Sequence, residues 1–193
     1  EPVNATDIYI LKATVWAYLS AEIPIILGGS LIDTSKNNDI FGVHGVTING
    51  YRIDENLPIE GDLPIKAEQI SKIYAHDDQV GPFSRIEFDL TPMTINDPEL
   101  DEQYNDANVL STFWKPKDES SYMNDKKVKL YPEVLLLPLY QKIRIPFERV
   151  IDRLAPFNKF LVEMQTKNIL PVKERIVWSV CLSTVNNLKN SFL

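Results

Sequence analysis

A chain of 193 residues with 20 basic and 27 acidic side chains carries a net charge of −7. It is long enough to bury one sizeable core, and its scattered Lys and Arg offer no footprint for nucleic acid. A single cysteine excludes an intrachain disulfide framework, and no stretch approaches the ~18 apolar residues of a membrane span. Cysteine usage of this kind favours a reducing, cytoplasmic setting. The opening Glu-Pro-Val-Asn is not a signal peptide, and without an initiator Met further residues are expected upstream.

Taken in chain order, residues 7–21 are predicted to form a helix. Ile8, Leu11, Val15 and Leu19 fall at helical spacing. Asn4, Thr6 or Asp7 can cap it, and Glu22-Ile23-Pro24 ends it. Ile25-Ile26-Leu27 reads as a short buried strand, broken by Gly28-Gly29-Ser30, and 33–39 as a polar loop. Residues 43–53 give the clearest strand, with Val46, Ile48 and Gly50 on one face. After a connecting loop at 54–66, strands are predicted at 69–75 and 83–90, joined by the turn 76–82. Phe83, Ile86 and Phe88 are expected to point inward in the second of these.

Residues 91–129, rich in Asp, Asn, Glu, Pro and Lys, read as a long polar insertion or hairpin excursion. The core resumes at 132–139. A helix is predicted at 145–164, with Pro146 in its first turn and Pro156 breaking or kinking it. A final buried strand covers 175–185, and something helical begins at 187–193. Helix, strands, helix and strand in this order predict one domain over 1–193 of α+β class, with a mostly antiparallel sheet and flanking helices.

The chain has two histidines. His44, in Gly42-Val43-His44-Gly45, is flanked by glycines that leave room for a substrate backbone. His76 opens the turn His76-Asp77-Asp78. A histidine at the start of one strand and an Asp at the end of its antiparallel neighbour would lie side by side, and a carboxylate in that position fixes the imidazole tautomer. Asp77 and Asp78 are also good turn formers. His44, His76, Asp77 and Asp78 are candidate metal ligands, but His76 and Asp77 should face opposite sides of a strand, and no metal or cofactor is expected. The acids at 97–106 lack the glycine and terminal Glu of a calcium loop. Gly28-Gly29-Ser30 opens no helix and lacks a Lys, so it is a poor phosphate loop.

Three segments together resemble the papain-like cysteine-peptidase superfamily. They are Ile23-Pro24-Ile25-Ile26-Leu27-Gly28, Val43-His44-Gly45-Val46-Thr47-Ile48-Asn49-Gly50-Tyr51, and Ile73-Tyr74-Ala75-His76-Asp77-Asp78-Gln79-Val80-Gly81-Pro82-Phe83. The pattern is similar to the second half of the bacterial bacteriocin-processing-peptidase-like branch and covers about residues 8–90. The resemblance implies a papain-like fold, His44 as catalytic histidine, Asp77 as the residue that orients it, and a peptide or protein substrate. It also implies a nucleophilic cysteine ahead of the histidine at a helix N-terminus, and no cysteine precedes His44 here. Ser20 and Ser30 are badly placed as substitutes.

Cys181, in the predicted strand Trp178-Ser179-Val180-Cys181-Leu182, reads as a small buried hydrophobe. A permuted site would need it beside His44. Two functions follow from this reading. One is a thiol hydrolase, a peptidase, whose cysteine lies upstream of the sequence. The other is a non-catalytic module that binds a peptide or protein. Oligomeric state is not legible.

Overall fold

The computed structural model describes residues 2–89, 91–112, 128–138 and 147–183. A short strand β1 (Pro2–Asn4) leads into helix α1 (Ile8–Leu19). Asp7 is the N-cap: its carboxylate accepts from the backbone N–H of Tyr9 and Ile10, satisfying donors that the first helical turn leaves open. Asn4 instead takes the Thr6 N–H in a tight side-chain turn. The helix ends before Glu22, which adopts positive φ.

Two long strands follow, β2 (Ile25–Asp33) and β3 (Asp39–Ile53), paired as a hairpin. After the 3-10 turn Lys66–Gln69 come β4 (Ile70–Asp77) and β5 (Gly81–Phe88), then a second hairpin of β6 (Met93–Asp97) and β7 (Glu102–Ala107). Strands β8 (Leu110–Thr112) and β9 (Val128–Leu136) precede helix α2 (Phe147–Thr166).

The pairings close on themselves. β2 pairs with β3, β3 with β4, β4 with β5, β5 with β8, β8 with β9, and β9 with the free side of β2, every step antiparallel. The result is a six-stranded antiparallel barrel with β1 added outside β9 and the β6–β7 hairpin beside β3. This overturns the expected papain-like α+β fold: the chain is mostly β, and its sheet is closed. Alternation of apolar residues marks strands but not closure, which here needs residues 25–33 to find 128–136 across the sequence.

Closure also explains why Gly28 and Gly29 do not end β2. A Cβ on Gly29 would lie 2.1 Å from the Tyr131 carbonyl oxygen, and one on Gly28 would lie 3.2 Å from a Val134 methyl. The glycines are where β9 approaches most closely, at a bulge in the β2–β9 register.

Leu27, Val46, Ile48, Ile73, Ile86 and Leu130 are buried in one core with Leu11, Val15 and Tyr18 of α1. A bulge between Ile48 and Gly50 changes the facing of β3, so Tyr51 and Ile53 join the same core as Val46 and Ile48. The helix lies against the end of the barrel where β3 finishes. Trp16 stacks on Tyr51 there at 5.4 Å between ring centres. A smaller core of Ile32, Ile95, Ala107 and Val109 holds the β6–β7 hairpin down.

Three further expectations are corrected. Phe83 does not point inward: it has φ of 60° and is exposed, because the β4–β5 register shifts between Ala75 and Asp77. Residues 175–183 form no strand beyond the isolated bridge from Trp178 to Ile65. This apolar run finds no sheet edge and runs along α1, with the Leu182 N–H donating to the Ala17 carbonyl. Pro156 lies inside a continuous α2 rather than breaking it. The start of the predicted 145–164 helix and the predicted 187–193 segment lie outside the described residues.

Candidate functional site

His44 reaches its position through the β3 alternation: on one strand, residues 44, 46 and 48 share a face, and Val46 and Ile48 are core residues. The β3–β4 register pairs Thr47 with His76 and Ile48 with Ala75. One step further sets Asp77 opposite Val46, diagonal to His44 and within side-chain reach. His44 Nε2 lies 3.2 Å from Asp77 Oδ2, with the histidine side chain 10% exposed and the aspartate side chain fully buried. The two residues singled out from the sequence therefore meet.

Asp77 is held at both of its oxygens. Oδ1 accepts the backbone N–H of Gln79 at 2.7 Å and of Val80 at 3.1 Å, which shapes the turn into β5. Oδ2 faces the imidazole. Turn former and histidine partner, weighed as alternatives, are one residue doing both. An Nε2–H donated to this carboxylate leaves the lone pair of the neutral ring on Nδ1, the atom that can take up a proton. Asp78 is exposed and brings Oδ1 to 3.8 Å from the same Nε2.

His44 lines a groove of about 690 Å³ with Gly28, Gly45, His76, Asp78 and Glu133, and Asp77 lies buried beside it. Nothing within 4 Å would meet a Cβ on Gly42, and one on Gly45 would meet only the Leu27 carbonyl at 3.9 Å. Gly45 keeps the floor low there rather than avoiding a clash. Exposed Val43 stands in the groove lining, and His76 packs on exposed Phe83 at 5.4 Å between ring centres. Glu133 accepts the Ser30 hydroxyl at 3.1 Å. It arrives from β9, so no local pattern around His44 could have announced it.

The cysteine is elsewhere. Cys181 is exposed, not buried, and its Sγ accepts the Trp16 Nε1–H at 3.2 Å. Trp16 stacks on Tyr51, which at ~3.3 Å per residue is roughly 20 Å along β3 from His44. A permuted site built from Cys181 and His44 is thereby excluded.

Of the other segments weighed, Gly28-Gly29-Ser30 is strand. The acids after Asp97 make a hairpin turn in which Asp97 Oδ1 accepts the Glu99 and Leu100 N–H groups. Among the described residues, His44, Asp77 and Asp78 present three donor atoms within 4.8 Å of one another. His76 does not join them.

Fold and site together define a closed antiparallel β-barrel with a buried-carboxylate histidine pair at one mouth. No family model, no curated protein and no solved structure matches the chain. Among the described residues no helix is long and apolar enough to cross a membrane.

Proposed function

We propose that this chain supplies the acid–base half of a thiol-hydrolase site, with a peptide or protein as substrate. The observation that carries the reading is the His44–Asp77 contact of 3.2 Å beside an open groove. A histidine whose ring is held by a buried carboxylate is the arrangement that takes a proton from a nucleophile and returns it to a leaving amine. The nucleophile is a cysteine outside these 193 residues, whose thiolate attacks the scissile carbonyl while His44 shuttles the proton and Asp77 steadies the imidazolium. The reading rests on the site and not on a papain-like fold.

The test uses the full reading frame, expressed with its upstream residues and assayed for peptide hydrolysis. His44→Ala should abolish turnover, a thiol-alkylating reagent should inactivate the protein, and Cys181→Ser should leave it active. Turnover that survives both His44→Ala and alkylation removes the hypothesis.

One observation favours a second reading, a non-catalytic peptide- or protein-binding module. Ile26 and Leu136, paired across β2 and β9, are exposed, and Val134 one strand-pair further on lines the glycine-floored groove. Together they offer apolar anchors for an extended segment. Under that reading peptides bind without being cleaved, and His44→Ala still binds them.

A further inference from the structure

We propose that His44, Asp77 and Asp78 form a divalent-metal site of the zinc class at the barrel mouth. The ligand atoms are His44 Nε2, Asp77 Oδ2 and Asp78 Oδ1. A first-row ion holds N and O ligands at about 2.0–2.2 Å, which sets adjacent corners of a tetrahedron roughly 3.4 Å apart. The observed separations from Nε2, 3.2 Å to Asp77 and 3.8 Å to Asp78, lie on either side of that value.

The donor set is one imidazole and two carboxylates, a combination suited to zinc and its neighbours rather than to calcium or magnesium, which prefer all-oxygen shells. One ligand is rigid and one is adjustable. Asp77 is fully buried and tied by its other oxygen to two backbone N–H groups, which serves as the outer-shell support that fixes a ligand's orientation. Asp78, 83% exposed at its side chain, is free to rotate and close the coordination; its Oδ1, Asp77 Oδ2 and His44 Nε2 all lie within 4.8 Å of one another. The groove borders the cluster, so water can take the fourth position.

Binding at Nε2 has a consequence for the ring. The metal takes the Nε2 lone pair, the Nε2 proton departs, and the neutral ring then carries its proton on Nδ1. The lone pair that accepts a proton in the proposed hydrolase is lost, so a filled site holds the pair inactive. Only this consequence rests on the hydrolase reading. The site itself does not.

The experiment is therefore a binding measurement. Zn²⁺ is titrated into the 193-residue chain by calorimetry, and Co²⁺ is followed by its visible absorption. One saturable site is expected, with tetrahedral Co²⁺ bands. Asp78→Asn, a change at an exposed residue that leaves the core intact, should weaken the site at least about tenfold, and His44→Gln should weaken it at least as much. His76→Gln should bind like the parent. The ring resonances of His44, and not those of His76, should shift on zinc addition in the unmodified chain. Absence of a saturable site, unchanged affinity in both Asp78→Asn and His44→Gln, or a loss as large in His76→Gln, overturns the proposal. None of these results bears on peptide hydrolysis by metal-free protein, so the two readings fail separately.

Discussion

The two ends of β3 have opposite characters within one strand. At the Tyr51 end the barrel is covered by α1: Trp16 lies on Tyr51, Lys12 sits 4.6 Å above the Phe88 ring, and the Tyr9 hydroxyl donates to the Leu63 carbonyl. Tyr9 and Lys12 both donate to backbone carbonyls there, and burial holds the Lys12 ammonium below its ordinary pKa. At the His44 end the described residues leave a groove instead of a covering helix. Small residues lower the floor, and the polar groups face one another around a groove. The contrast teaches that an end packed under a helix serves stability, while an end whose titratable groups border open space is available for chemistry.

Substitutions should separate these ends. The largest effect is expected at Asp77. If the proposed hydrolase reading holds, Asp77→Asn keeps the shape but removes the charge that would steady an imidazolium on His44, and hydrolysis by the intact protein should fall about 10⁴-fold. Asp77→Ala also strips the turn of its acceptor and should cost a further ~1 kcal/mol of stability in urea unfolding. A rate within a few-fold of the parent in Asp77→Asn would make the mouth structural, like the other end, and erase the contrast.

At the covered end the measurement reverses. Tyr18 is fully buried between helix and barrel, and Tyr18→Ala should lose about 3–5 kcal/mol of stability. Its effect on hydrolysis, measured where the protein remains folded, should be slight. A selective loss of activity without loss of stability would show that α1 communicates with the mouth.

Much of each end was legible in the sequence, for local reasons. The spacing of Ile8, Leu11, Val15 and Leu19 and the cap Asp7 belong to one helix and need no distant partner. His44 and Asp77 could be matched because antiparallel neighbours, here joined by the loop over 54–69, bring the start of one strand beside the end of the next. What stayed hidden depends on partners far along the chain. Gly28-Gly29 looks like a break until β9 is known to press against it. Phe83 looks inward until the register shift before it is known. The run around Cys181 has strand composition, but propensity does not supply a free edge, and the segment lies along α1 instead. Barrel closure is the extreme case, since no single strand contains it.

The smallest effect tests how dry the covered end is. Burial, reinforced by the Glu68 and Asp7 carboxylates, pushes the Tyr9 phenol from 10.0 up to about 12. The folded state therefore keeps its proton where the unfolded chain has lost it. The stability this provides is complete below pH 10 and is lost as pH rises from there through about 12. Tyr9→Phe has no such proton to lose, so the difference in unfolding free energy between parent and variant should be flat below pH 10 and should move against the parent above it. Tyr9 is half-buried, so screening by solvent keeps this change modest. Phenolate absorption gives the direct check: the difference between parent and Tyr9→Phe should show Tyr9 ionising well above pH 10, towards about 12. Ionisation of Tyr9 near its ordinary 10.0 would mean that water reaches the α1 end as freely as it reaches His44. The asymmetry of the barrel would then lie in which side chains stand at each end and not in how well each is sealed.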